Sequence, residues 1–298
     1  MAVPKDSYLL LTIVFVGLGF YYLCSRSVPA PPMDMGIVDM HRQHADILGD
    51  VPGPSLDGME MLRNPKSGPI VDHNIKGPIY NFDIPGLTEG WITLSDKKRI
   101  YKISVTPLKE VEGTRPPILL LHASQYNPYA WVETGLLFKL RDNGFKAVAV
   151  DIPGYHIARN LPKLTTESEY LTFLSDIIEF EHIQNCVIIA PEMATDFVMP
   201  LLKSREDLIQ SVVIVSPLHE FNFSAIMNTR VKTLLMTGEF ESFELKRYTS
   251  PNIEHIIIPL SANFFFVENS VEFNKLIMQF LNGLVIHGHG IAGKENDL

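Results

Sequence analysis

Residues 186–194 read CVIIAPEMA, an apolar run followed by a turn that carries one carboxylate. The run is continuous and rich in β-branched residues, which is typical of a strand buried on both faces of a parallel sheet. Similar runs lie on either side along the chain, at Ile118–Leu121, Ala147–Val150, Val212–Val215, Thr233–Met236 and Ile256–Ile258. The pattern therefore predicts an α/β domain with a mostly parallel sheet.

Segments of helical length separate most of these runs and predict helices on both faces of the sheet. They are Trp131–Asn143, Tyr170–Phe180, Asp196–Ser204 and a closing segment, Val271–Leu284. Before them, Trp91–Leu94 and Ile100–Val105 flank a polar Ser-Asp-Lys-Lys turn, which predicts an antiparallel pair of strands.

Composition excludes several classes of protein. The chain has 298 residues, 46% hydrophobic and 20% charged, and a formal net charge of −9. This acidity argues against nucleic-acid binding, which needs a basic surface. The only cysteines, Cys24 and Cys186, exclude a disulfide scaffold and a zinc site built from several thiolates. We predict no cofactor and no metal.

An amino-terminal run, Tyr8–Cys24, contains no charged residue. Seventeen residues in a helix span about 25 Å, and Ser7 and Ser25 can extend the run toward the roughly 30 Å of a bilayer core. We predict an uncleaved anchor at residues 1–26, with a signal peptide or a buried helix as alternatives. A stalk at 27–85, a domain at 86–284 and a flexible tail at 285–298 complete the organisation.

The sequence leaves the orientation in the membrane open, because Lys5 on one side of the run faces Arg26 and Arg42 on the other. The membrane itself, endomembrane or plasma membrane, is also open. Cys24 is a candidate for palmitoylation. Asn222, in Asn222-Phe223-Ser224, is a candidate for glycosylation.

Five ordered motifs resemble the α/β-hydrolase superfamily. They are PPILLLHAS (116–124), GFKAVAVDIPG (144–154), VIIAPEMA (187–194) followed by MPLL, VKTLLMTGEFE (231–241) and the closing helix. Residues 90–284 are most similar to the α/β-hydrolase domain-containing protein 14 family. The resemblance implies an α/β-hydrolase fold with little or no lid and an acyl-transfer activity. One branch of that family has an amino-terminal anchor, which implies a single-pass protein of type II orientation.

Enzymes of this fold carry a serine, an acid and a histidine in that order along the chain. Carried over by resemblance, the serine position is Glu192, the acid position is Glu241 and the histidine position is Asn263. The remnant of the oxyanion loop is His122-Ala123, and Met193 follows the nucleophile position.

These replacements remove the family's reaction. A serine nucleophile needs a base that takes its proton, and a carboxylate orients that base. Glu192 cannot form an acyl-enzyme by this route, and Asn263 cannot exchange a proton near neutral pH. The sequence therefore predicts a pseudoenzyme that acts by binding another protein or a small acyl-like ligand.

Four rival interpretations use nearby residues. Ser216 and His219, with Glu192 in reach, could form a relocated catalytic site. The Glu192 carboxylate could itself be a nucleophile. Glu192, Glu239, Glu241 and His219 are oxygen-rich enough to suggest calcium or magnesium. Finally, a pocket under Trp131 and Phe264–Phe266 would suit a ligand sensor.

The turn at Glu192 allows two structures. A tight elbow would partly bury the carboxylate, which then needs a hydrogen-bonding partner such as Thr195 or His122. Alternatively, the turn has relaxed into an ordinary helix start with Pro191 at its first position.

Overall fold

The computed structural model describes residues 83–218, 223–241 and 250–285. Within them, eight strands form one sheet in the order β1-β2-β4-β3-β5-β6-β7-β8. The strands are β1 Leu87–Thr93, β2 Arg99–Val105, β3 Ile118–Leu120, β4 Ala147–Val150, β5 Cys186–Pro191, β6 Ile209–Val215, β7 Lys232–Gly238 and β8 Ile253–Ile258. Every predicted strand is present, and most are longer than the apolar run that marked them.

The sheet is parallel except at its first two strands. β1 pairs antiparallel with β2, and β2 pairs antiparallel with β4. The remaining six strands, in the order β4-β3-β5-β6-β7-β8, run parallel to one another. The predicted antiparallel pair and the predicted mostly parallel sheet are both confirmed.

Helices cover the sheet between the strands. They are α1 Ala130–Glu133, α2 Leu136–Asp142, α3 Glu167–Phe180, α4 Ala194–Ser204, α5 Phe223–Met227, α6 Phe265–Glu268 and α7 Ser270–Asn282, with short 3₁₀ turns at His156–Ala158 and Glu206–Leu208. α3 begins with a capping box, in which the Thr166 hydroxyl accepts from the Glu169 N–H and the Glu169 carboxylate accepts from the Thr166 N–H.

One predicted helix is wrong. Trp131–Asn143 is two helices, α1 and α2, because Gly135 lies between them with a φ of 73°. This left-handed conformation ends the first helix, and glycine adopts it without a steric penalty.

Apolar side chains fill both faces of the sheet. In β4, Val148 and Val150 pack into the core under α3 and α4. Ala147 and Ala149 face the opposite core, under α1, α2 and α7. All four are fully buried, which explains why the strand reads as a continuous apolar run.

Within residues 83–218, 223–241 and 250–285, no helix combines the length and the apolar character needed to cross a membrane. The predicted anchor at 8–24, Cys24, most of the stalk and nearly all of the tail lie outside the described residues. They remain predictions.

Candidate functional site

The turn after β5 is a tight strand-to-helix elbow. Glu192 has a φ of 49°, and its N–H donates to the Val215 carbonyl at 2.8 Å. The flanking Ala190 and Ala194 are fully buried, so larger residues would not fit there. A non-glycine residue with positive φ is strained by about 1–2 kcal/mol. The alternative of a relaxed helix start is therefore wrong.

The Glu192 carboxylate is held by a single residue, Ser124, which lies in the loop between β3 and α1. The Ser124 N–H donates to Oε2 at 2.6 Å, and its hydroxyl donates to Oε1 at 2.8 Å. In active α/β-hydrolases, an N–H from this loop and the N–H that follows the nucleophile stabilise the oxyanion. Here a carboxylate of the protein takes up the loop's donor.

The predicted partners of this carboxylate are wrong. The Thr195 hydroxyl donates at 2.7 Å to the main-chain oxygen of Glu192, not to the carboxylate. His122 turns the other way, and its Nε2 lies 3.0 Å from Asp151 Oδ1 and 3.0 Å from the Ile152 nitrogen. Ser124 holds the carboxylate because its N–H and its hydroxyl both reach the elbow.

Two histidines fix the loop that carries Ser124. His122 is fully buried, and its Nδ1 donates to the Ala123 carbonyl at 2.9 Å. His156 Nε2 donates to the Ser124 carbonyl at 2.9 Å. His122 Nδ1 and His156 Nε2 must each carry a hydrogen atom, because a carbonyl oxygen can only accept a hydrogen bond. Burial lowers the pKa of His156, which favours its neutral form.

The acid position has a different partner from the one a hydrolase needs. Ser216 is 2% exposed with a φ of 46°, and its hydroxyl donates to Glu241 Oε1 at 2.6 Å. The Gly238 N–H donates to the same oxygen at 2.7 Å. Glu241 thus binds a serine and a peptide group where an enzyme's acid would orient histidine.

The other predicted site residues do not join this network. Asn263 is exposed and forms no hydrogen bond with the described part of the chain. Met193, after the elbow, is 7% exposed. His219 and Asn222 lie outside the described residues, so the relocated site and the glycosylation site remain predictions.

The described residues do not bring a metal site together. No group of three or more His, Cys, Asp or Glu side chains among them could hold a metal ion. The third acid of the proposed set, Glu239, accepts from the Leu260 N–H at 2.8 Å. The three predicted carboxylates are therefore each engaged by donors of the protein.

The aromatic residues named for the sensor pocket pack against one another. Trp131 is fully buried, lies 5.5 Å from the Phe266 ring and donates its indole N–H to the Leu121 carbonyl at 3.0 Å. At the edge of this cluster, Tyr126 contacts Phe266 and Phe264. The aromatic residues after β8 therefore belong to the core, with Phe264 only partly buried.

A partly buried acid lies close to this aromatic cluster. Burial raises the pKa of Glu133, on α1, to about 7. Burial also raises the pKa of Tyr126, and the charges of Glu268, Glu133 and Glu192 add to that increase. The rim between the elbow and α1 is thus acidic.

Sequence reasoning missed Ser124, Asp151 and His156. Asp151 directly follows a predicted strand end and Ser124 lies three residues after another, which was a usable signal. No sequence signal marked His156, because it lies well after the end of β4 and contacts Ser124 across 32 residues of sequence.

Comparisons with known proteins agree with the fold. No family model matches the chain. Protein ABHD14A of Mus musculus is 24% identical over 209 residues, which cover 67% of this chain and 81% of the relative. The Homo sapiens protein named "Putative protein-lysine deacylase ABHD14B" is 26% identical over 177 residues, 56% of this chain and 83% of the relative.

Solved structures share the fold. Naproxen esterase from Bacillus subtilis superposes with a TM-score of 0.55 at 17% identity, over 78% of this chain and all of the esterase. A CIB-like hydrolase from Thermoplasma acidophilum gives a TM-score of 0.56 at 20% identity, over 66% of this chain and 98% of the hydrolase. The chain has the α/β-hydrolase fold and is similar in sequence to the ABHD14 proteins.

Proposed function

We propose that this protein is a membrane-anchored pseudoenzyme, in which the hydrolase fold has lost serine chemistry and serves to bind a protein or a small acyl-like ligand. One observation carries the proposal. The carboxylate at the nucleophile position accepts both the N–H and the hydroxyl of Ser124. A substrate carbonyl would have to displace a charge-assisted pair of hydrogen bonds to reach that donor.

The chemistry of the three triad positions supports the same conclusion. Glu192 offers no hydroxyl for acyl transfer, and Asn263 offers no base. Removing the nucleophile of a serine triad lowers turnover by about 10⁶-fold. If the Glu192 carboxylate acted as a nucleophile, it would in addition have to break its two hydrogen bonds with Ser124.

The relocated site at Ser216 lacks an oxyanion donor. In an elbow, the N–H after the nucleophile stabilises the oxyanion, and here that residue is Pro217, which has no N–H. The hydroxyl of Ser216 also points at Glu241, a weak base for a serine. These features favour a structural role for Ser216.

Anchoring is the second part of the proposal, and the charge-free run at residues 8–24 supports it. Full-length protein should remain in membranes after alkaline carbonate extraction. If the domain lies on the lumenal side, endoglycosidase treatment should increase the electrophoretic mobility of the protein. Asn222→Gln should abolish this change. Release by carbonate would refute the anchor, and absence of the mobility change would argue against the type II orientation.

Turnover tests the pseudoenzyme directly. The full-length protein should hydrolyse p-nitrophenyl acetate, p-nitrophenyl butyrate and an acetyl-lysine peptide no faster than Glu192→Gln and Ser216→Ala variants. The peptide is included because the human relative carries a deacylase name. Saturable turnover that Ser216→Ala abolishes would replace the proposal with a relocated hydrolase.

A further inference from the structure

A cleft of about 530 Å³ lies at the end of the parallel strands that is opposite to Glu192. It is lined by residues 107–111, Gly113 and Arg115 of the β2–β3 connection and by Gly144 and Lys146 before β4. The end of β2 pairs there with the first residue of β4, which in turn pairs with the first residue of β3. The cleft therefore belongs to the amino ends of the parallel strands, whereas the site at Glu192 lies at their carboxyl ends.

The charge of this cleft is opposite to that of the whole chain. Three cationic side chains line it, Lys109, Arg115 and Lys146, against one carboxylate, Glu110. The protein as a whole has a formal net charge of −9. A local concentration of cations in an acidic protein favours an anionic ligand.

Several of these cationic groups retain donors. Arg115 binds the Glu112 and Gly113 carbonyls through Nη1, its Nε is buried and out of reach of a ligand, and its Nη2 forms no hydrogen bond with the described residues. Lys146 donates one bond to the Glu181 carbonyl at 2.7 Å, although an ammonium has three donors. The cleft thus offers guanidinium and ammonium donors, which suit the oxygens of a phosphate group.

Apolar side chains line the same cleft. Leu108 is 52% exposed and Val111 is 39% exposed. A ligand that satisfies the whole cleft has an anionic group beside an apolar part. The volume lies in the range of small-molecule sites, about 300–1,000 Å³, which is much more than a bare phosphate fills.

The described chain joins the domain beside this cleft. The Gly86 carbonyl accepts from the Thr106 N–H at 2.8 Å, next to Pro107, and the Pro85 carbonyl accepts from Arg141 at 2.7 Å. The first described residues of the domain therefore lie beside the cleft.

We propose that this cleft binds the headgroup of a phospholipid through its phosphate, with Arg115, Lys109 and Lys146 as donors. Leu108 and Val111 contact the glycerol and the first acyl carbons. The recognised chemistry is a phosphate ester with an apolar extension, which inorganic phosphate lacks.

Calorimetric titration of the full-length protein in dodecyl maltoside tests this assignment. The probe is dibutanoyl phosphatidic acid, and inorganic phosphate is the comparator. Loss of a charge-assisted hydrogen bond weakens binding by about ten- to hundredfold, so we expect that effect for Arg115→Gln. Lys109→Gln, at an exposed position, should weaken binding several-fold without affecting the fold. Lys275→Gln, an exposed lysine on α7, is the matched control and should change affinity less than twofold.

Three results would overturn the proposal. The first is absence of binding by the wild-type protein at millimolar probe. The second is an equal loss of affinity in Lys109→Gln and Lys275→Gln. The third is binding of inorganic phosphate as tight as that of the lipid, which would show that the apolar part is not recognised. Thermal melts of each variant separate loss of binding from loss of fold.

Discussion

At the scale of single residues, two serines and two glutamates form the hydrogen bonds that define the candidate site. Ser124 holds the Glu192 carboxylate and Ser216 donates to Glu241, so both acids are engaged inside the protein. The sequence located the two acids but not their partners. Ser124 and Glu192 are 68 residues apart, and no periodicity or motif spacing reports a contact at that distance.

The Ser124 contact predicts a measurable loss of stability in Glu192→Gln. The amide oxygen of glutamine can still accept one hydrogen bond from Ser124, but its NH₂ group would face the second Ser124 donor. We therefore expect the free energy of unfolding to fall by about 1–2 kcal/mol. Chemical denaturation measures this change. Glu254→Gln, at an exposed position of β8, serves as the control and should stay within about 0.5 kcal/mol. Equal stability of the two variants would contradict the role assigned to Ser124.

The partly buried carboxyl of Glu133 predicts a pH dependence. Its pKa is about 7 in the folded protein against 4.5 for an ordinary glutamate. Above pH 4.5 the unfolded chain ionises first, so the free energy of unfolding should fall as pH rises from 4.5 to 7. The total fall is about 3 kcal/mol.

Comparison with Glu133→Gln isolates this contribution. The variant should become progressively more stable than wild type across the same pH window, in denaturation curves measured at each pH. Glu268→Gln, an exposed acid near the same tyrosine, should follow the wild-type curve. Parallel curves for wild type and Glu133→Gln would refute the raised pKa.

At the scale of elements, strands were easier to predict than helix boundaries. A strand buried on both faces is apolar throughout, so Ala147–Val150 was located to the residue. The break between α1 and α2 was missed because a glycine inside a helical pattern is often tolerated, and only its backbone angle shows that the helix ends. The capping box at Thr166 and Glu169 lay in the sequence as a readable signal.

The prediction at the scale of elements concerns Gly135. Gly135→Ala puts a Cβ at a φ of 73° and should lower the free energy of unfolding by about 1–2 kcal/mol. Gly90→Ala, in β1, is the matched control because its new Cβ would meet only the Lys102 Cε, at 3.6 Å. It should be neutral or slightly stabilising. Equal losses in the two variants would contradict a requirement for the left-handed angle.

At the scale of the whole molecule, the sheet order and the elbow are those of an α/β-hydrolase, while the groups at the strand ends differ. The core depends on apolar patterning, which tolerates changes at a few strand ends. Serine catalysis on this fold depends on three side chains, and we propose that two of them are replaced here, by Glu192 and Asn263. The fold could therefore be predicted with all eight strands, whereas the hydrogen-bond partners of the site could not.

The pseudoenzyme proposal is tested most directly by fluorophosphonate labelling of the full-length protein, followed by intact-mass and peptide mass spectrometry. An active serine hydrolase from the same fold class serves as the positive control. We predict no covalent adduct on any serine, because Glu192 replaces the nucleophile and Ser124 and Ser216 both donate to carboxylates. A stoichiometric adduct on Ser124 or Ser216, lost in the corresponding alanine variant, would contradict the proposal.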